Sequence, residues 1–107
     1  MDADTQIPNA VTAQAMDMAA NEAAGVLKLL SNPQRLRLLC ALLDGERSVG
    51  ELEEALGKSQ SYVSSQLAKL RSEGLVKAAR DGRVVRYSLA DARVTPILER
   101  LFEVFCS

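Results

Sequence analysis

The residues best suited to chemistry in this sequence are two cysteines. Cys40 stands in the apolar run "RLRLLCALL" and Cys106 in the closing "LFEVFCS"; they are the two thiols of a 107-residue chain without histidine. Thiols can be joined by oxidation or sulfur transfer wherever a fold makes them neighbours. A thiol enzyme would need a partner base or a Cys-x-x-Cys pair, so no catalytic residue and no cofactor is expected. Two lone thiols also fall short of a tetrahedral metal site, and no metal is expected. Cys106 lies where a helix end frays and should be reachable by a small oxidant. Arg37, one turn before Cys40, would favour a thiolate there. A second role fits the same residues: Leu36, Leu39, Cys40 and Leu43 form a stripe at helical spacing, as do Phe102, Phe105 and Cys106, and a thiol is an ordinary small core side chain.

The second chemically pointed group is polar. In "QSYVSSQLAKLRSE" the side chains Gln60, Ser61, Ser64, Ser65, Gln66 and Lys69 share the face opposite the apolar Val63, Leu67 and Leu70. A merely solvated helix favours Glu and Lys there; short hydroxyls and amides are weaker helix formers that can approach a nucleic-acid backbone and bond to base edges. Arg80, Arg83 and Arg86 follow, around a turn. Residues 58–88 carry seven basic and two acidic side chains, a local +5 within a chain whose net charge is −1. Phosphate attraction is local, so a cationic segment on an acidic body suffices for double-stranded DNA. A solvated face of mixed charge is the other reading of these residues.

The elements that must position these groups are legible from start and stop signals. Apolar residues at helical spacing from Val11 to Leu30 predict a first helix with more apolar surface than one contact needs. Ser31 or Asn32 as cap, Pro33 and Gly45 bracket a second helix over 33–44. Ser48 with Glu51 reads as a capping box opening a short helix that ends at Gly57. Ser59 caps the polar-faced helix, and Gly74 terminates it. Asp81-Gly82 between two short runs predicts a hairpin with Val85, Tyr87 and Leu89 on one face and the three arginines about its tip. Thr95 as cap and Pro96 predict a last helix with a broad apolar side: Ile97, Leu98, Leu101, Phe102, Phe105 and Cys106.

The chain is long enough for one small domain, expected over residues 11–107 behind a flexible tail at 1–10. The expected fold is mostly α with a small β-hairpin, a winged helix-turn-helix of about five helices and a two-stranded wing, in which the second helix of the pair enters the major groove. A winged helix that binds protein instead is the alternative. No stretch reaches the length of a membrane span and the acidic start lacks a signal peptide's basic head, so a cytoplasmic protein is expected, with both cysteines resting as thiols.

The segment "VSSQLAKLRSEGLVKAARDGRVVRYSL", with "LSNPQRLRLL" and "SVGELEEALG" before it, resembles the ArsR family of bacterial transcriptional repressors across most of residues 26–106. The resemblance implies a homodimer closed by the first and last helices, its paired reading helices addressing a roughly palindromic operator. It departs from the metal-sensing members, having neither histidine nor a Cys-x-Cys in the third helix. "LLCALLDGERSVGELE" and "VFCS" instead resemble the BigR and SqrR subgroup, which responds to reactive sulfur species such as persulfides and polysulfides. That implies Cys40 and Cys106 are neighbours that become linked through added sulfur, after which operator affinity falls and sulfide-detoxification genes are derepressed. A general thiol-oxidation switch, or an unrelated effector, is the alternative signal.

Overall fold

The computed structural model describes residues 12–106, so the expected tail at 1–10, Val11 and Ser107 lie outside the described residues. The chain divides after Ser31 into two compact units. The first holds helix α1, Ala13–Leu30, whose first turn is closed by Thr12: its hydroxyl accepts the Ala15 N–H at 3.1 Å. Val26 and Leu30 of α1 are buried, while Met18 and Leu27 stand more than half exposed.

The second unit begins at α2, Pro33–Ala41, where the Asn32 carboxamide accepts from the backbone of Gln34 and Arg35. The helix stops short of the expected residue 44. The N–H groups of Leu42, Leu43 and Gly45 turn to carbonyls three residues back, and Arg47 Nε donates to the Ala41 carbonyl at 2.6 Å, capping the exposed end. Arg47–Ser48 form a two-residue strand, β1. Helix α3, Val49–Leu56, then opens on the expected capping box, with the Ser48 hydroxyl accepting from the Glu51 N–H at 3.2 Å and the Glu51 carboxylate from the Ser48 N–H at 2.9 Å. It ends at Gly57, whose φ of 65° is a left-handed conformation that suits glycine.

Helix α4, Gln60–Ser72, is capped by Ser59 and leads through Gly74 to β2, Val76–Asp81, and β3, Val84–Leu89. Asp81 pairs with Val84, so the two-residue turn is Gly82-Arg83, shifted by one from the Asp81-Gly82 expectation. Gly82 has φ 66° and Arg83 a negative φ, the order of a type II′ turn. The wing has three strands rather than two: β1 pairs with β3, Arg47 opposite Tyr87 and Ser48 opposite Arg86, giving the antiparallel order β1-β3-β2. Two residues are too few for an alternating pattern, which is why the sequence did not reveal β1.

Helix α5 is Val94–Cys106, starting earlier than a Thr95 cap would allow. The Asp91 carboxylate accepts from the Arg93 backbone at 3.0 Å and the Asp91 carbonyl from the Val94 N–H, so the chain is already turning before Thr95; Pro96 still falls in the first turn, where its missing N–H costs nothing. The core is built from one stripe of each helix of this unit, with Leu39, Leu52, Val63, Leu70 and Leu98 without measurable solvent contact. Each such burial contributes on the order of 2 kcal/mol. Helices α3 and α4 joined by Gly57–Ser59, followed by the β2–β3 hairpin, make a winged helix-turn-helix.

Candidate nucleic-acid interface and cysteine pocket

Burial of Val63, Leu67 and Leu70 fixes the rotation of α4 about its axis. At 3.6 residues per turn the opposite side must carry Gln60, Ser61, Ser64, Ser65 and Lys69, and all five are exposed; Gln66 is half-buried beside the stripe. Helix α4 contains no acidic side chain, and its last turn carries Lys69 and Arg71. Glu73, just beyond, is neutralised by the Arg35 guanidinium, whose Nη2 donates to Glu73 Oε1 at 2.7 Å while Nη1 bonds the other oxygen. The hydrogen bonds from Arg35 hold the Glu73 carboxyl below its ordinary pKa. At the other end Lys58 Nζ lies 5.4 Å from the centre of the Tyr62 ring, within cation–π range. The result is an uninterrupted neutral-to-basic face of hydroxyl, amide and ammonium groups.

On the wing the three arginines have different settings. Arg83 occupies the turn and Arg80, opposite Val85, is next to it; both are exposed. Arg86 is not at the tip. It lies opposite Ala79 and Ser48, half-buried, with Nη1 3.1 Å from Glu51 Oε1 and Nε 3.6 Å from Asp81 Oδ2. Glu51 thus caps α3 and ties the wing to it. The first role has a sequence signal in the Ser48 and Glu51 spacing, whereas the second depends on a contact 35 residues away.

Both cysteines are free thiols, Cys40 half-buried and Cys106 exposed. They line one cavity of about 550 Å³ bounded by α2, α3 and α5, with Leu36, Leu56, Leu101 and Phe102 among its walls. Packing of Leu39 and Leu98 in the core turns Cys40 and Phe102 toward this shared space, since each lies on the flank of its buried stripe. Neither thiol is sealed in the core as an inert filler would be. The expectation that Arg37 draws Cys40 toward thiolate is overturned: Arg37 Nη2 donates to the Leu56 carbonyl at 3.4 Å, and burial, followed by the charge of Cys106, pushes the Cys40 thiol above its ordinary pKa. Among the described residues of the cavity lining, Arg37 is the one that carries a charge.

Residues 32–78 match the description "bacterial regulatory protein, arsR family". The biofilm growth-associated repressor of Xylella fastidiosa (strain Temecula1) is 40% identical over 104 residues, covering 97% of this chain and 90% of that protein. The crystal structure of the transcriptional repressor BigR from Xylella fastidiosa superposes with a TM-score of 0.79 at 42% identity, over 90% of this chain and 98% of that one. A homodimeric winged helix-turn-helix DNA-binding domain from Mycobacterium bovis gives a TM-score of 0.67 at 32% identity, covering 89% and 88%. With a polar-faced α4 bare of acids, a basic turn on the wing, and relatives matched over nearly their whole length, the chain belongs to the arsR family of bacterial regulatory proteins, which are DNA-binding transcriptional regulators and not enzymes.

Proposed function

We propose that the chain is a homodimeric repressor acting in the cytoplasm, which binds a roughly palindromic operator in its reduced state and releases it when reactive sulfur species join Cys40 to Cys106. The observation that carries this reading is the shared cavity: thiols 66 positions apart in sequence line the same space. Gln60, Ser61, Ser64, Ser65, Gln66 and Lys69 meet the major groove, and Arg80 and Arg83 the flanking phosphates. Arg86 also contributes to the basic wing, held in place by Glu51. The second copy packs on the apolar sides of the first and last helices, for which the exposure of Met18 and Leu27 in α1 and of Val104 in α5 speaks.

The chemistry balances without metal or cofactor. A persulfide R–S–SH gives its terminal sulfur to a cysteine thiolate; the S–S bond breaks and the carrier leaves as a thiol. If each cysteine accepts one sulfur, the two persulfides condense to a trisulfide with loss of hydrogen sulfide. The protein dithiol is oxidised by two electrons, and one sulfane sulfur is reduced to sulfide. Such a link changes the spacing of α2 and α5, and through the dimer the spacing of the two reading helices. A coupling of about 1–3 kcal/mol, roughly 5- to 150-fold in affinity, is the usual scale for such linkage.

The test exposes reduced protein to an organic persulfide and, separately, to hydrogen peroxide. Intact mass and peptide mapping are read beside anisotropy on a duplex selected from a random library by the reduced protein. A Cys40–Cys106 link with added sulfur, formed only with persulfide and accompanied by weaker binding, is expected. Equal disulfide formation with both oxidants would indicate a general thiol switch instead, and two unmodified cysteines would remove sulfur sensing altogether.

A further inference from the structure

We infer that the cavity beside Cys40 and Cys106 selects the sulfur donor: it takes a persulfide carried on an apolar organic group in preference to peptide-borne or inorganic donors. The inference rests on the sulfur-sensing function proposed above and names the class of inducer that this site would recognise.

Three features point to such an occupant. The space, about 550 Å³, falls in the range of small-molecule sites, far more than a trisulfide link needs. Its walls are aliphatic and aromatic, supplied by Leu36 of α2, Leu56 of α3 and Leu101, Phe102 and Phe105 of α5, and among the described residues of the lining none is acidic and Arg37 alone is charged. A peptide carrier such as glutathione persulfide brings an ammonium, two carboxylates and two amides, and these walls hold too few partners to offset their desolvation. An alkyl or aryl carrier loses nothing by entering and gains the burial of its own surface.

The thiols sit where an apolar carrier would deliver its sulfur. Cys106 is exposed at the end of α5, and Cys40 is half-buried along the same wall. Cys106 makes the first attack on the terminal sulfur, the carrier departs as its thiol, and Cys40 follows in the second step by the balance given above. The surface left for a second copy is the neighbouring stripe of α5, which shares Leu101 with the cavity wall. Ile97, Leu101 and Val104 stand at i, i+4 and i+7, whereas Leu98, Phe102 and Cys106 stand at i, i+4 and i+8 on the neighbouring flank. A dimer centred on Ile97 and Val104 leaves Phe102 and Cys106 open to a ligand, with Leu101 bordering both surfaces.

The experiment compares benzyl persulfide, glutathione persulfide and sodium tetrasulfide on the full reduced chain. Rates of sulfur transfer are followed by intact mass, each divided by the donor's rate with a small free thiol. The normalised rate for benzyl persulfide should exceed the other two by about tenfold or more, the scale on which apolar pockets discriminate. It should also saturate with concentration and be slowed by the unreactive benzyl methyl sulfide. Ala55 lines the cavity at an exposed position of α3, so Ala55→Phe fills it without overpacking the core. That variant should lose the benzyl preference while keeping its rate with tetrasulfide. Equal normalised rates and no competition would overturn the selectivity while leaving sulfur sensing intact. Failure of every donor to modify the cysteines would overturn both.

Discussion

Arg35, in the first turn of α2, forms a two-pronged ion pair with Glu73, the residue that ends α4. The helix that carries Cys40 is therefore fastened to α4, the helix that carries the exposed polar face. Both side chains are partly shielded, at 17% and 33% exposure, and the guanidinium meets both carboxylate oxygens, which places the pair at the stronger end of surface ion pairs. A double-mutant cycle with Arg35→Ala and Glu73→Ala should give a coupling of about 0.5–1 kcal/mol that shrinks in high salt. Glu73 is held below its ordinary pKa, so this contribution is present above the unfolded carboxylate's pKa and is lost as pH falls through the folded value. A coupling that persists unchanged in acid would mean that it does not come from the ion pair.

The wing gives a contrast between two variants. Arg83 is exposed in the turn, so Arg83→Ala should weaken binding to all DNA sequences alike and lower the salt slope by roughly one unit per protomer. Glu51→Gln keeps an acceptor for the Ser48 N–H but discharges the partner of Arg86. It should leave α3 folded and alter the position of the wing. The readout is a change in affinity without the loss of salt slope seen for Arg83→Ala, measured by anisotropy across a salt series. Identical salt profiles for the two variants would place Arg83 and Glu51 in the same role.

Local signals were legible in the sequence, and contacts between distant segments were not. The capping box of Ser48 and Glu51, the inward stripe of Val63, Leu67 and Leu70, and the hairpin near Gly82 each depend on residues within one turn or one strand, so spacing alone exposes them. The early end of α2 depends on Arg47 reaching the Ala41 carbonyl, and β1 exists because β3 lies beside it. The setting of Arg86 comes from a partner on another helix. For the cysteines, spacing allowed both a core role and a reactive one. Their common cavity, and the burial that raises the Cys40 thiol, arise only when α2, α3 and α5 are packed.

Asp91 offers a titration with a known window. Hydrogen bonds from the Arg93 side chain and backbone lower its carboxyl to about 2, well under the unfolded value of about 3.9. Its stabilising effect on the turn into α5 should be complete above about pH 4 and disappear as pH falls through about 2. Asp91→Asn can still accept from the Arg93 N–H but carries no charge. The difference in thermal midpoint between wild type and this variant should be constant near neutrality and close in acid. A carboxyl resonance titrating near 4 would contradict the Arg93 pairing.

The proposed dimer can be tested on the outer stripe of α5. Val104 is 57% exposed, with Ile97 and Leu101 on the same side. Val104→Glu puts a carboxylate on that stripe without touching the cysteine cavity, and should weaken self-association by about a hundredfold or more, because the charge would have to be buried unpaired. Sedimentation equilibrium reads the change directly. An unaltered dissociation constant would move the interface away from this face of α5.

The order in which the two thiols react follows from their settings. Burial, and secondarily the charge of Cys106, raises the Cys40 thiol, so at neutral pH little of it is thiolate, and the side chain is only partly open to solvent. Cys106, exposed at the helix end, should be alkylated by iodoacetamide well before Cys40, and the Cys40 rate should climb as pH rises into the alkaline range. Replacing Cys106 by serine removes the smaller of the two causes. The Cys40 profile should therefore move to lower pH but remain above that of a free thiol, because burial is untouched. Peptide mapping after timed alkylation separates the two sites. Equal rates at neutral pH would show that Cys40 is not desolvated, and would reopen Arg37 as a group that draws it toward thiolate.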